Sequence, residues 1–526
     1  MRDFHLPGRS MVFADNGICA TSHPLAAKVA VDMLQSGGNA VDAAIAGAVL
    51  LGLCEPQMTG IGGDLFALVS QDGSDDVQAF NGSGRAPVAL DAEAIRAAGH
   101  NVMPAYDVSA VTIPGAVDGF CQLSERFGKK GLDVCLAPAI TYMEAGIPVA
   151  PRTADDWAHS ETELHASAIP FYLVNGKVPK AGERFALPRQ AEVLRRIASE
   201  GRSGFYEGEV AEDMVESLRR LGGKHTLDDF AEHRGYFGAP IEGEYRGSRL
   251  IEHAPNGQGA TAILLNNILS AFDLSELDPV GADRAHLEVE AAKFAYDARD
   301  RFIADHDYVT RLEHMLNPKT GAELAELISP NWAAEVPSRL AENVHKETVY
   351  LTVVDRDRMC VSLIYSVFKD FGSGMASEKY GILFQNRGAG FTLERGHPNE
   401  AGGGKRPMHT IIPAMLADAD GIRMPFGVMG GGYQPQGHAR IISNMIDFGM
   451  DAQAAIDAPR CFFEKGQLKV ERGYSPSVHN ALHDLGHPVI EPYRAIGGAQ
   501  AIYIDRKSGV LLGASDPRKD GCAIGY

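Results

Sequence analysis

Residues 348–367 carry the pattern that leaves this chain the fewest structural options. Thr348-Val349-Tyr350-Leu351-Thr352-Val353-Val354-Asp355 alternates its side chains along a β-branched run, and after the charged turn Asp355-Arg356-Asp357-Arg358 the segment Met359 to Val367 alternates again. Period-two alternation with this composition predicts two antiparallel strands of one hairpin. With the turn centred on Asp357, Thr348 lies opposite Ser366, and two hydroxyls face each other.

A threonine that opens such a strand can do chemistry as well as pack. Its hydroxyl can attack the carbonyl of Glu347, shift the peptide to an ester and, after hydrolysis, leave Thr348 as a new N-terminus. A freed α-amino group has a pKa of roughly 8 and can take the proton of its own hydroxyl, so one residue supplies nucleophile and base. The polar stretch Ser338 to Glu347 predicts a reachable segment for such a cut. Threonine also opens strands for reasons of propensity alone, so other segments must separate the two readings.

The length of 526 residues corresponds to three or four average domains or to one large layered α/β body. Hydrophobic content of 45% and charged content of 22% belong to a globular chain with a sizeable core. A formal charge of -19 opposes phosphate backbones and anionic lipid heads, which points away from nucleic acid and membrane surfaces and toward a small-molecule substrate. The segment MRDFHLPGRSMVFADNG lacks the basic flank and apolar run of an export signal, and the apolar run Ala43 to Cys54 is too short for a bilayer that needs about twenty residues. Seven scattered cysteines without a CxxC pair predict reduced thiols and a cytoplasmic protein.

A small-residue helix is expected from Asn39 to Leu53, then the turn Thr59-Gly60-Ile61-Gly62-Gly63 and a strand Leu65 to Val69. Helical spacing in Ala191 to Ile197 and Val210 to Leu221 places outer helices between about 130 and 240, and another helix is expected over Ala282 to Asp305. Later come an apolar strand, Ile411 to Leu416, the run Phe426 to Gly432, and a helix from His438 to Phe448. Glycines that end a strand and open a helix expose backbone N–H groups able to bind an oxyanion or phosphate, or simply make a tight turn.

Several chemistries fail on spacing. Gly404-Lys405 is followed by Arg406, so there is no P-loop, and Gly60-Ile61-Gly62-Gly63-Asp64-Leu65 precedes a strand where a dinucleotide fingerprint needs a helix. Neither GxSxG nor HExxH occurs, and His23, His409 and His438 are not at metal-ligand spacing, so no metal or organic cofactor is expected. His409 lies beside Lys405 and Arg406 in a stretch that could line a site. Arg85 and Arg387 sit among small residues, where a guanidinium fork either meets a substrate carboxylate or closes an internal ion pair.

These segments together resemble the γ-glutamyltranspeptidases (glutathione hydrolases) among the N-terminal nucleophile hydrolases. The resemblance rests on Ala20-Thr21-Ser22-His23-Pro24-Leu25-Ala26, Gly37-Gly38-Asn39-Ala40-Val41-Asp42, Thr59 to Gly63, Lys405-Arg406-Pro407, Ala458-Pro459-Arg460 and Ala514-Ser515-Asp516-Pro517-Arg518. It implies an αββα fold of two stacked, mainly antiparallel sheets covered by helices. It also implies self-cleavage between Glu347 and Thr348 into interlocked chains 1–347 and 348–526, with a homo-oligomer of that heterodimer as a further option. The family's nucleophile falls on Thr348, its partner hydroxyl on Ser366 and its oxyanion pair on Gly430 and Gly431.

The family's glutamate clamp is altered. Phe368 replaces the usual Asn, Arg387 and Gly390 stand where a Gln and an Asp are usual, His409-Thr410 replaces a Ser pair, and Ser83 stands at the place of a clamping Arg, with Arg85 nearby. The pattern resembles the branch that includes oxamate amidohydrolase. Arg85, Arg387, His409 and Thr410 are therefore the expected substrate-binding residues and a small anionic amide the expected substrate. The alternatives are a γ-glutamyl hydrolase or transpeptidase with a rebuilt clamp, and a non-catalytic ligand-binding descendant.

Overall fold

The computed structural model describes residues 5, 8–334 and 348–526. Two seven-stranded sheets dominate it. Their strands in chain order are β1 Val12–Ala14, β2 Ile18–Thr21, β3 Asp64–Ser70, β4 Val77–Gly82, β5 Tyr236–Gly238, β6 Ile241–Tyr245, β7 Ser248–Glu252, β8 Val349–Val354, β9 Cys360–Ser366, β10 Ala414–Asp418, β11 Gly421–Met429, β12 Gly498–Asp505, β13 Val510–Ser515 and β14 Cys522–Gly525. One sheet runs β14-β2-β8-β9-β3-β4-β5 and the other β1-β13-β12-β11-β10-β7-β6. Every pairing within both is antiparallel.

Strand alternation divides the side chains between two cores. Val349, Leu351, Val353, Val361, Leu363, Tyr365, Leu65, Ala67 and Val69 leave the first sheet on its outer face. There they pack beneath α1 (Pro24–Gln35) and α2 (Ala40–Cys54). The other parity points between the sheets, where Leu68, Val354 and Cys360 meet Ile251, Met415, Ile502 and Leu511. Nearer the site the same layer holds Phe66, Tyr350, Ile364, Ile411 and Met429. Helices α4 (Gly259–Leu269), α5 (Ala282–Phe302) and α6 (Gln434–Ile446) cover the second sheet, with α3 (Ala116–Phe127) on the first. This is the expected αββα stack.

Helix α2 is buried on all sides, because Ala and Gly at seven of its fifteen positions let it lie between the sheet and the outer helices. Asn39 caps it and Asp42 returns the bond to the Asn39 N–H, a full capping box. Asp42 also accepts the N–H groups of Lys129 and Lys130, so one buried carboxylate ends two segments.

Two elements differ from the sequence expectation. The strand expected over Ile411 to Leu416 pairs only from Ala414 to Asp418, since Pro413 lacks the N–H that a ladder needs. The helix expected from His438 starts at Gln434, where Pro435 supplies the fixed φ of a first turn. Glu347 and the polar stretch before it lie outside the described residues.

Candidate active site

The hairpin closes in the expected register. Val349 pairs with Tyr365 and Val354 with Cys360, which sets Thr348 opposite Ser366. Across the next ladder Ser366 pairs with Asp64. Three polar residues of the same parity therefore line up at one end of the inter-sheet layer, all buried.

Ser366 Oγ is the hub of the hydroxyl pair. It accepts from Thr348 Oγ1 at 3.2 Å, from the Phe368 N–H at 2.8 Å and from Arg387 Nη2 at 3.2 Å. Phe368 reaches it only by adopting φ +83°, a left-handed conformation that costs a non-glycine residue about 1–3 kcal/mol. The same turn lays the Phe368 ring on Arg387, 4.2 Å from the guanidinium carbon.

Arg387 comes from the short turn Arg387–Gly390, which packs against residues 105–110: a Cβ on Gly388 would fall 2.7 Å from the Ala110 carbonyl. Arg387 is fully buried and donates to Thr410 Oγ1 at 3.0 Å as well as to Ser366, while its Nε–H meets no acceptor among the described residues. Burial pulls its pKa down to about 9, opposed by the charge of Asp64.

Asp64 is a residue that sequence reasoning passed over. Its Oδ1 accepts from the Gly84 N–H at 3.0 Å, the Gly115 N–H at 3.2 Å and Gln385 Nε2 at 2.7 Å, and its Oδ2 accepts from His409 Nε2 at 3.0 Å. Burial raises its pKa, and Arg387, Gln385 and Gly84 offset part of that rise. His409 is held well below the ordinary histidine range by burial and then by Arg387, so it is neutral and carries its proton on Nε2 toward Asp64.

The strand β11 crosses β8 from the opposite sheet. A Cβ on Gly427 would lie 2.3 Å from the Tyr350 ring, and Ser362 Oγ donates to the Phe426 carbonyl at 3.2 Å. Following β8 back toward Thr348 thus follows β11 forward toward Gly430. Gly430 and Gly431 adopt φ +120° and +56°, opening a 3-10 turn that runs into α6. Successive positive-φ residues at a helix entrance make a concave set of N–H groups suited to an anion. Gln258 Nε2 ties this turn to the clamp by donating to the carbonyls of Gly431 at 3.0 Å and Thr410 at 2.6 Å.

Thr348, Ser366, Arg387 and Thr410 thus form one hydrogen-bond network to which Gln258 joins Gly431, and Asp64, beside Ser366 in the ladder, holds His409 in its own set of bonds. Arg85 stands apart from its hydrogen bonds: its Nη1 lies 3.3 Å from Asp305 and 2.8 Å from the Gly404 carbonyl. His23 caps α1 through the Leu25 N–H, and His438 pairs with Glu252 at 2.6 Å. Among the described residues His286, Glu290 and His487 bring possible metal ligands within 4.8 Å of one another, but the Lys293 ammonium already holds Glu290 at 2.7 Å.

The gamma-glutamyltranspeptidase family model matches residues 26–526. The glutathione hydrolase-like YwrD proenzyme of Bacillus subtilis is 35% identical, covering 98% of this chain and 99% of its own length. The oxamate amidohydrolase proenzyme of Klebsiella pneumoniae is 34% identical, covering 97% and 98%. Among solved structures, cephalosporin acylase from Bacillus halodurans superposes with a TM-score of 0.92 at 37% identity, covering 100% of this chain and 99% of its own. With its family match spanning nearly the whole sequence and its sheets in the same arrangement as a solved acylase, this chain is an enzyme that belongs to the gamma-glutamyltranspeptidase family.

Proposed function

We propose that this protein is a self-processing N-terminal-threonine amidohydrolase that cuts small anionic amides. The observation that carries the reading is the contact of Thr348 Oγ1 with Ser366 Oγ at 3.2 Å beside a buried Arg387. Maturation begins when Oγ1 attacks the Glu347 carbonyl carbon, the Glu347–Thr348 C–N bond breaks and water hydrolyses the resulting ester. Chains 1–347 and 348–526 result, and Thr348 gains a free amine. In turnover that amine takes the Oγ1 proton as Oγ1 bonds to the substrate carbonyl carbon, the Gly430 and Gly431 N–H groups face the oxyanion, and the proton leaves with the departing amine. Water then cleaves the acyl ester.

The anionic preference follows from charge. A guanidinium buried with three donors used or unpaired and no carboxylate in ion-pair contact among the described residues is costly unless an anion joins it. Asp64 answers its charge from a distance, but four N–H donors occupy the Asp64 oxygens, leaving little for a substrate ammonium. A γ-glutamyl head, with an ammonium of its own, suits this clamp poorly. The relative named oxamate amidohydrolase supports the same substrate class.

Wild-type protein should run as two bands, the smaller beginning at Thr348 on N-terminal sequencing, whereas Thr348→Ala should stay one chain and release no ammonia from oxamate or succinamate. A different start residue, or turnover by the alanine variant, overturns the assignment. Efficient cleavage of γ-glutamyl-p-nitroanilide with no ammonia from either small amide would restore the glutathione-type reading.

A further inference from the structure

Lys369 stands beside this site with no task in the mechanism above. It is 4% exposed, and among the described residues none forms an ion pair with its ammonium. Its backbone is fixed to the clamp: the Lys369 N–H donates to Asn386 Oδ1 at 3.2 Å, the Asn386 N–H to the Val367 carbonyl at 3.3 Å, and Asn386 Nδ2 to the Ala105 carbonyl at 2.8 Å. Residues 367–369 and 386–387 therefore make one wall, with the Phe368 ring lying on Arg387. At the outer end of that wall the Lys369 ammonium lies 5.8 Å from the Tyr106 ring, which is 39% exposed.

The wall has a direction, running from Thr348, Ser366 and Arg387 in the interior, past Lys369, to solvent at Tyr106. An acyl group whose carboxylate is taken by Arg387 sits at the inner end with its carbonyl at Thr348, so the amine that leaves must point outward. We propose that Lys369 anchors an anionic group on that leaving amine, so that the preferred substrates are N-acyl amino acids with a short acidic acyl group and the released product is an amino acid. This inference rests on Thr348 as nucleophile and Arg387 as the inner anion anchor. With N-oxalylglycine as the case, Thr348 Oγ1 bonds to the amide carbonyl carbon, the C–N bond breaks, glycine departs with the proton held by the Thr348 amine, and water frees oxalate from the ester.

Lys369 is also suited to a reversible grip. Burial draws its pKa down to about 8, with Lys465 lowering it further and Glu163 opposing. Asp370, next in the chain, is occupied by Ser160 and Arg494.

The test compares N-oxalylglycine with N-methyloxamate, which has the same acyl group and an uncharged leaving side. Wild type should favour N-oxalylglycine in kcat/KM by about tenfold, expressed in KM, the size of one charge-assisted contact. Lys369→Met should bring the ratio near one while splitting at Thr348 and N-methyloxamate turnover persist, and Lys369→Arg should restore it. As pH rises through 8 the ratio should fall for wild type and hold for the arginine variant; titration of the Thr348 amine cancels between the two substrates. Equal use of both amides by wild type, or a ratio unmoved in Lys369→Met, overturns the role of Lys369 and leaves the parent reading intact. Failure of wild type to split or to cut either amide overturns both.

Discussion

Two arginines in glycine-rich loops, Arg85 within residues 81–87 and Arg387 within 385–390, look interchangeable as text and meet opposite conditions in the fold. Arg85 keeps 41% of its side chain exposed and is answered by Asp305 and a backbone carbonyl. Arg387 has lost all contact with solvent and is answered by two hydroxyls, an aromatic face and a carboxylate at a distance. The first is a half-exposed guanidinium that water and salt can reach, and its buried partner Asp305 also accepts the Arg406 N–H. The second is a stored positive charge that only another buried group can satisfy. Counter-charge, brought in by segments remote in sequence, decides which arginine is available to a ligand.

The sharpest way to break this contrast is to remove the buried member. Arg387→Ala should raise KM for oxamate about thirty- to a hundred-fold, the loss of about 2–3 kcal/mol of charge-assisted bonding. It should leave the cut before Thr348 in place, because maturation involves no bound substrate. Steady-state kinetics and a gel of the same preparation check both parts.

Both loops also lean on histidines kept neutral, which gives a pH signature. His409 is held well below its ordinary range by burial and Arg387, and His233 is lowered to about 3 chiefly by burial, with the charges of Arg406, Arg202 and Arg85 lowering it further and Asp64 opposing. Below the unfolded pKa of about 6.5 the unfolded chain takes up protons that the fold refuses, so stability falls with pH. At pH 5 this amounts to about 2 kcal/mol for His233, and His409 acts in the same direction. Glu55 works the other way: its carboxyl is raised to about 7 by burial, so its contribution is present at low pH and is lost as pH rises from about 4.5 through 7. A net drop in Tm between pH 6.5 and 5 is expected, and a flat or rising Tm would mean that the histidines are charged in the fold.

Ser366→Ala removes the oxygen on which Thr348, Phe368 and Arg387 converge, and should slow both splitting and turnover roughly tenfold, about 1–2 kcal/mol. Unchanged rates would show that Arg387 and Thr348 hold position without it. The smallest effect belongs to the exposed member: Arg85→Ala should change KM by less than about threefold and stability by less than about 1 kcal/mol. A loss as large as that of Arg387→Ala would erase the distinction between the two loops.

The parts of the fold that could be read ahead were those written in local periodicity. The Thr348 to Ser366 register needed only a period of two and a turn centre, and α2 needed only its run of small and apolar residues. The strand before Phe426 was displaced because its apolar run outweighed Pro413, whose missing N–H sets where pairing can begin. The hydroxyls of the site were legible because both lie in one hairpin. Asp64 was not, because its donors arrive from residues 84, 115, 385 and 409, and no local pattern announces a carboxylate that four loops share. The difference between Arg85 and Arg387 was hidden for the same reason, since Asp305 lies 220 residues from Arg85.

The strand order has a further consequence for how such a molecule can be made and replaced. A cut before Thr348 would leave seams between the two pieces at β14/β2, β2/β8 and β9/β3 in one sheet and at β1/β13 and β10/β7 in the other. Such pieces would be woven rather than docked, and neither could be withdrawn without tearing ladders through the interior of both sheets. Every mature molecule would then keep for life the partner it was synthesised with: mixed populations carrying two different tags would not trade fragments, and a damaged small piece could be renewed only by making the whole chain again.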